Sequence, residues 1–547
     1  MAKGIITCVR APPQLEICRQ MIEYFDNFEN GTCVKSDLCI VGAGAAGISI
    51  AREFLGTHYE ISVLESGGFD GDTETQKLYQ SELVGLPHTG IQIGRARVFG
   101  GTTTLWGGQA LRFSDFDLQK REWVSFSGWP LSRADLDPCY ERADRILQLG
   151  ARIPYEKLCA AFGVEPPAFD PSKLCMQCSQ WSPRPNFGTA FRRELKRANN
   201  ISALLHANVT GIVTNEAATE VSSIEFTTLG GKKGVAKARF YVICCGGIET
   251  ARLLLASNRI DRRGVGNQND LVGRYFQEHV HVRCGNLLAT NRKYLQNLFE
   301  SFFQGRLKHA PLITLSERVQ REKRLLSILG TVGFEPAPDS CITAMKTLFR
   351  AAIGKSYPGT ADLKRLIGNV LADPGELASL TYRLYAKKRA GTPNRGPIYF
   401  GAQCEMAPNP ESRVMLSDSR DSLGMRRVKL DWRLGEMERR TISEFAITLA
   451  HEFERLKLGS FDLRQVASLD DPIRWTEMAH DSAHHMGTAR MHEAPQLGVV
   501  DANCRVHGLA NLYVGSSAVF PTGSCSNPTL TILALCMRIA DRLKQLF

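Results

Sequence analysis

Three features of the chain point to an α/β protein with a Rossmann-like domain that is discontinuous in sequence. Asp37-Leu-Cys-Ile-Val-Gly42-Ala-Gly44-Ala-Ala-Gly47 runs from an apolar strand through a G-x-G-x-x-G turn into a helix. Glu60-Ile-Ser-Val-Leu-Glu65 supplies a second strand ending in an acid about twenty residues further on. Near the other end, Leu512-Tyr-Val is a short apolar strand, and a helix is expected to begin at Pro528 and run through Met537.

Each part of the first motif has a physical task. Gly42 permits the tight turn, Gly44 lets backbone approach a pyrophosphate, Gly47 lets helix and strand pack closely, and Glu65 accepts hydrogen bonds from a ribose. A glycine triplet alone often marks only a strand-to-helix turn; two flanking strands and the spaced acid make it a dinucleotide site. The motif does not separate FAD from NAD. No second G-x-G-x-x-G follows a strand downstream, so electrons are expected to come from an organic substrate.

Composition narrows the class. With 547 residues, 43% hydrophobic and 22% charged, the chain suits two or three domains or one large two-lobed enzyme. A net charge of +11 spread over this length favours anionic surfaces but defines no nucleic-acid site. The N-terminal apolar run is broken by Arg10 and Pro12-Pro13, unlike a signal peptide, and no run of about eighteen apolar residues offers a membrane span. Sixteen cysteines without an export signal read as reduced thiols of a cytoplasmic protein. Cys175-Met-Gln-Cys178 lacks the second pair that a closed metal site needs, so no metal is expected.

In chain order, apolar residues at Leu15, Ile17, Met21, Ile22, Phe25 and Phe28 predict a packing helix over residues 14–30. Residues 95–110 carry Gly100, Gly101, Thr102 and Thr103 in a glycine- and threonine-rich stretch suited to wrapping a flat ligand, or to forming a plain surface loop. Residues 204–213 and 239–255 read as a return to the nucleotide domain. From Gly285 to about Asp481 strands and helices carry little chemistry, as a substrate-shaping domain would. Within it, residues 341–395 interleave ten Lys and Arg, including Lys346, Lys364, Lys387 and Lys388, with apolar residues at near-helical spacing. Such a surface suits an anionic membrane, an acidic partner or an anionic substrate, or is an ordinary solvated helical face.

The densest chemistry lies from His484 to Leu535: His484-His485-Met-Gly487-Thr488, then Gly515-Ser516, then Asn527-Pro528-Thr529. Pro528 at a helix start loses no needed donor. Asn527 therefore sits at a helix N-terminus, where an anion or developing anion is favoured.

This stretch closely resembles the C-terminal motif of the glucose-methanol-choline (GMC) flavin oxidoreductases, and Pro408-Asn-Pro-Glu-Ser-Arg413-Val is similar to another of its segments; the likeness covers nearly all of residues 36–547. The resemblance implies an FAD-binding Rossmann-like domain from residues 36–112, 190–284 and 486–547, with a substrate domain on an antiparallel sheet from 113–189 and 285–485, behind an N-terminal extension, 1–35. It implies His484 and Asn527 as catalytic residues. It implies FAD contacts from Gly42, Gly44, Gly47, Glu65, Gly100, Gly101, Thr102, Thr103, Val209, Gly515, Ser516, Pro528 and Thr529. Where some members attach FAD through a histidine stands Leu105, implying non-covalent FAD. The histidine at Leu271-Val-Gly-Arg-Tyr-Phe-Gln-Glu-His279 is read as structural.

The expected reaction is removal of a hydride from a carbinol carbon to flavin N5 while His484 takes the hydroxyl proton and Asn527 steadies the oxygen. The motifs look most like the sugar- and polyol-oxidising branches, with oxygen, a quinone or a redox protein as acceptor. A sterol, aliphatic alcohol or choline-like substrate remains open for the same reaction, and two alternatives of other kinds stand beside it: a lyase on the same fold with structural FAD, and a docking protein that uses residues 341–395.

Overall fold

The strand Thr32–Val41 is the axis of the molecule, and its apolar C-terminal half, Leu38 to Val41, is buried. Parallel strands covered on both faces require such a continuous apolar run. The computed structural model describes residues 21–352, 359–462 and 464–547. Among them, Thr32–Val41 pairs in parallel with Ile61–Leu64 on one side and Lys233–Ile243 on the other. Ile201–Leu205 and Ile22–Tyr24 extend the sheet beyond Ile61–Leu64, while Leu512–Val514 joins the far edge of Lys233–Ile243. Asn208–Thr214 and Val221–Thr227 complete it as an antiparallel meander.

Two consequences follow for the site. The chain leaves Thr32–Val41 in one direction and returns on its other side, and ligands bind in the crevice beyond the strand C-termini at such a reversal. The Gly42 turn, Glu65, Cys244 and Gly515 all sit at that edge. The helices Ala45–Glu53 and Thr529–Leu546 pack against each other under it.

A second, antiparallel sheet is built from Gln109–Ala110, Leu174–Trp181, Val280–Ala289, Leu307–Leu315, Ile328–Phe334, Ile398–Cys404 and shorter edge strands. A hairpin, Arg413–Arg420 with Arg426–Asp431, takes Glu82–Leu83 as a parallel third strand. The neighbouring strands Ile328–Phe334 and Ile398–Cys404 are joined by three helices, Cys341–Ala352, Thr360–Ala372 and Pro374–Tyr385. The α/β reading with a discontinuous Rossmann-like domain and an antiparallel second sheet is therefore correct.

The helix expected over residues 14–30 is not. Residues 14–20 lie outside the described residues, and Ile22–Tyr24 is a strand, paired with Ala203–Leu205, followed by a 3-10 turn at Phe25–Asn27. Its apolar side chains bury against the sheet: Ile22 and Phe25 are both in the core. A short apolar run carries no periodicity that separates a strand from a helix. Among the described residues no helix is long and apolar enough to cross a membrane.

Candidate active site

A cavity of about 720 Å³ opens at the strand edge, in the size range of a cofactor pocket. Its wall contains Gly42, Gly44, Glu65, Gly101, Thr102, Thr103, Leu105, Val209, Ser516, Pro528, Thr529 and His484. Residues from seven separate stretches of the sequence thus converge on one space. Gly47, Gly100 and Gly515 lie behind this wall and act by close packing: an added Cβ would meet Gly42 O at 1.9 Å, Gly188 N at 2.5 Å and Cys244 Sγ at 3.2 Å respectively.

The glycine turn shows how its parts divide the work. Gly42 takes φ +102, a left-handed conformation that favours glycine. Gly44 faces the cavity, where an added Cβ would find only Gly101 Cα, 3.9 Å away. Glu65 accepts from Ala43 N–H at 2.8 Å and Gly67 N–H at 2.9 Å, tying the ends of the two strands together. Burial raises its carboxyl above the ordinary value, against the pull of those N–H groups and Arg97.

Arg95, Arg97 and Glu249 form part of the wall that the sequence motifs did not bring out. Both guanidinium groups stack on Tyr79, at 3.9 and 4.4 Å, and pair with Glu249 at 2.9 and 2.7 Å. Burial alone would raise the Glu249 carboxyl; Arg252, Arg97 and Arg95 hold it down at about 2. Arg95 Nη2 and Arg97 Nε are buried and have no acceptor among the described residues. Tested against the FAD that the resemblance implies, the wall fits. It offers an open glycine turn, two spare guanidinium donors, and the helix Thr529–Leu546, whose N-terminus has no side-chain cap. That helix begins at Thr529, one residue after the expected start, with Pro528 as its cap in helical geometry.

At the other end of the cavity His484 Nδ1 lies 2.8 Å from His279 Nδ1. His279 Nε2 faces the carbonyls of Ser524 at 2.8 Å and Gly523 at 3.2 Å. Carbonyls only accept, so His279 carries its proton on Nε2 and, when neutral, presents a lone pair at Nδ1. His484 must then donate from Nδ1. Its Nε2 is left with a lone pair, and the Asn527 amide nitrogen lies 3.5 Å from it. Burial pushes the His484 imidazole well below the ordinary value, and the neighbouring His279 adds to that; burial likewise lowers His279. Both rings are therefore neutral near pH 7, as this tautomer assignment requires.

The backbone around the pair is held from beneath. Glu278, fully buried, accepts from His484 N–H at 2.7 and 2.9 Å and from His279 N–H at 2.8 Å. Gln277 and Met486 exchange both backbone hydrogen bonds, and Gln277 Nε2 donates to Pro521 O. On the opposite side Glu405 accepts from Ser524 N–H at 3.2 Å while Arg121 grips it with two bonds of 2.7 Å. Sequence reasoning set His279 aside as structural and passed over Glu278. Two adjacent titratable residues, Glu278 and His279, immediately before the strand Val280–Ala289 are the available signal.

Glu278 also meets His88 Nε2 at 3.3 Å and His485 Nε2 at 3.8 Å, a trio compact enough to hold a metal ion. The tautomer of His88 argues against metal ligation there. His88 Nδ1 accepts from Ile91 N–H at 3.1 Å, so neutral His88 turns a proton, not a lone pair, toward the carboxylate.

Residues 408–536 match the profile of the GMC oxidoreductase family. The chain is 24% identical to 2-methyl-1,2-propanediol dehydrogenase of Mycolicibacterium austroafricanum, over 94% of this chain and 96% of that one. It is also 24% identical to 6'''-hydroxyparomomycin C oxidase of Streptomyces lividus, over 94% and 92% respectively. Among solved structures, pyridoxine 4-oxidase from Mesorbium loti shares the fold, with a TM-score of 0.55, 18% identity and coverage of 93% of this chain and 99% of that one. The C-terminal match to the GMC oxidoreductase model, the likeness to relatives over most of the chain and the shared fold thus make this an oxidoreductase-like chain similar to the GMC oxidoreductases.

Proposed function

We propose that this oxidoreductase binds FAD non-covalently in the cavity and oxidises a CH–OH group of a sugar, polyol or glycoside to a carbonyl. The observation that carries the reading is the proton arrangement at His484: a lone pair on Nε2, fixed from behind by His279, beside a donating amide of Asn527. A substrate hydroxyl placed between them donates to His484 Nε2 and accepts from Asn527 Nδ2. His484 removes the proton as general base, and Asn527 stabilises the charge developing on the oxygen. Bound FAD supplies the oxidant that takes the hydride at flavin N5.

Leu105 at the cavity wall carries no atom able to link to a flavin, which supports non-covalent binding. Gly42, Gly44, Gly101, Thr102 and Thr103 surround the pyrophosphate in this reading, with Glu65 at the ribose and Val209 at the adenine. The relatives named 2-methyl-1,2-propanediol dehydrogenase and 6'''-hydroxyparomomycin C oxidase support a polyhydroxylated substrate. The final acceptor is oxygen, a quinone or a redox protein. The free cysteines among the described residues support a cytoplasmic setting.

The test is a visible spectrum of the purified protein, release of the chromophore by acid, and anaerobic addition of a panel of sugars, polyols and simple alcohols. Release of FAD and bleaching by a polyhydroxylated member is the expected result. A yellow protein that no alcohol bleaches would overturn the reaction and favour a lyase; a colourless protein that takes up no FAD would overturn the cofactor.

A further inference from the structure

Neighbouring antiparallel strands are ordinarily joined by about two to five residues. Ile328–Phe334 and Ile398–Cys404 are neighbours, yet residues 335–397 and three helices separate them. The insertion is anchored from within: Arg383 is buried against Glu300, and Glu376 accepts from Asn394 N–H at 2.7 Å. Its outer surface is different. On the helix Thr360–Ala372, Leu363, Ile367 and Leu371 recur at i, i+4 and i+8, one stripe of the cylinder. A stripe of that kind belongs against a core, but Leu371 is 73% exposed, as are Phe349 at 66% and Tyr385 at 70% on the two adjoining helices. Lys346, Lys364, Lys387 and Lys388 are exposed on the same insertion.

We propose that this insertion is a peripheral membrane-docking device that lays its apolar stripe and aromatic side chains into the interfacial zone of an anionic bilayer. Apolar residues flanked by lysines match the two halves of that zone, acyl chain beneath and anionic headgroup above. A second copy of the chain is a poorer occupant, because a two-fold contact would bring the same lysines together. The contact is peripheral, since no described helix is long and apolar enough to span the membrane. The inference is independent of the substrate assignment.

The test is flotation of the full-length, FAD-loaded protein with vesicles of phosphatidylcholine alone and of phosphatidylcholine with roughly one-third phosphatidylglycerol. The protein should float with the anionic vesicles and not with the neutral ones. The double variant Ile367→Ser/Leu371→Ser should lower the bound fraction about tenfold, and Lys364→Glu/Lys387→Glu by at least roughly fivefold per lysine. Unchanged flavin absorbance and melting temperature will show that these surface variants fold. Failure to float at low salt, flotation unaltered by both double variants, or a dimer that Ile367→Ser/Leu371→Ser converts to monomer would each overturn the proposal, the last in favour of a second copy.

Discussion

His279 and His484 meet Nδ1 to Nδ1 at 2.8 Å, so one proton serves both nitrogens. Because the Ser524 and Gly523 carbonyls claim the other proton of His279, that shared proton belongs to His484, and the proposed base is oriented before any substrate arrives. Replacing His279 with Leu removes the acceptor while keeping an apolar filler. We expect kcat to fall by about ten- to a hundredfold with KM little changed, part of the roughly hundred- to ten-thousandfold that a general base contributes. His484→Ala should lose the whole of that factor while FAD stays bound. Stopped-flow flavin reduction checks both, and equal rates for His279→Leu and the parent would show that the relay does not set the tautomer.

A pH profile follows from the same pair. A general base at His484 would act only when neutral, and burial, then His279, holds its proton affinity well below the ordinary 6.5. The acid limb of kcat/KM should therefore lie below pH 6.5, with activity maintained as pH falls through that value. In His279→Leu one cause of the depression is gone, so the limb should move upward.

Stability should respond to the same window. His279, His484 and His485 are lowered by burial in the folded protein, whereas the unfolded chain takes up those protons near pH 6.5. The unfolded state then binds more protons, so stability falls as pH drops below 6.5 toward the folded values. Melting temperature recorded between pH 7.5 and 5 should decline, and His485→Asn should flatten the decline. Parallel curves would remove His485 from the account.

How much of this could be seen beforehand depends on whether a residue's task is local. Gly42, Gly47 and Glu65 act across one strand–turn–helix unit, so spacing along the chain exposes them, and each lies where that spacing puts it. His484 and Asn527 were legible because each stands in a distinctive local motif. His279 and Arg97 were not. Their importance comes from partners far away in sequence, His484 and Glu249, and nothing in the local pattern reports such a contact. The strand Ile22–Tyr24 was misread for a related reason: its partner, Ile201–Leu205, is supplied from elsewhere in the chain.

Arg121 and Glu405 form a wholly buried pair with two 2.7 Å bonds, and Glu405 also accepts from Ser524 N–H. Ser524 holds φ +53, a left-handed conformation that a serine adopts only when its surroundings impose it. Arg121→Met leaves the carboxylate buried and unpaired, a change that costs about 3–5 kcal/mol. Beyond the lower melting temperature, the loop that carries Asn527 should loosen, so flavin reduction should slow in the surviving folded fraction. Restoration of normal reduction at normal stability in Arg121→Met would separate this pair from the site.

Gly44 and Gly47 stand three residues apart and should fail in opposite ways. At Gly47 an added methyl would lie 1.9 Å from Gly42 O, in the space where helix and turn touch. Gly47→Ala must push the helix Ala45–Glu53 off the strand, so both thermal stability and FAD content should drop. At Gly44 the methyl would meet nothing nearer than Gly101 Cα at 3.9 Å, and φ is −84, so the protein without cofactor should melt as the parent does. The methyl would project into the space that a pyrophosphate needs, and backbone approach there is the reason for a glycine. Gly44→Ala should thus fold normally and bind FAD about tenfold or more weakly, by fluorescence titration of the cofactor-free protein. FAD affinity equal to the parent's would place the pyrophosphate elsewhere in the cavity and leave the donors of Arg95 and Arg97 as its next candidates.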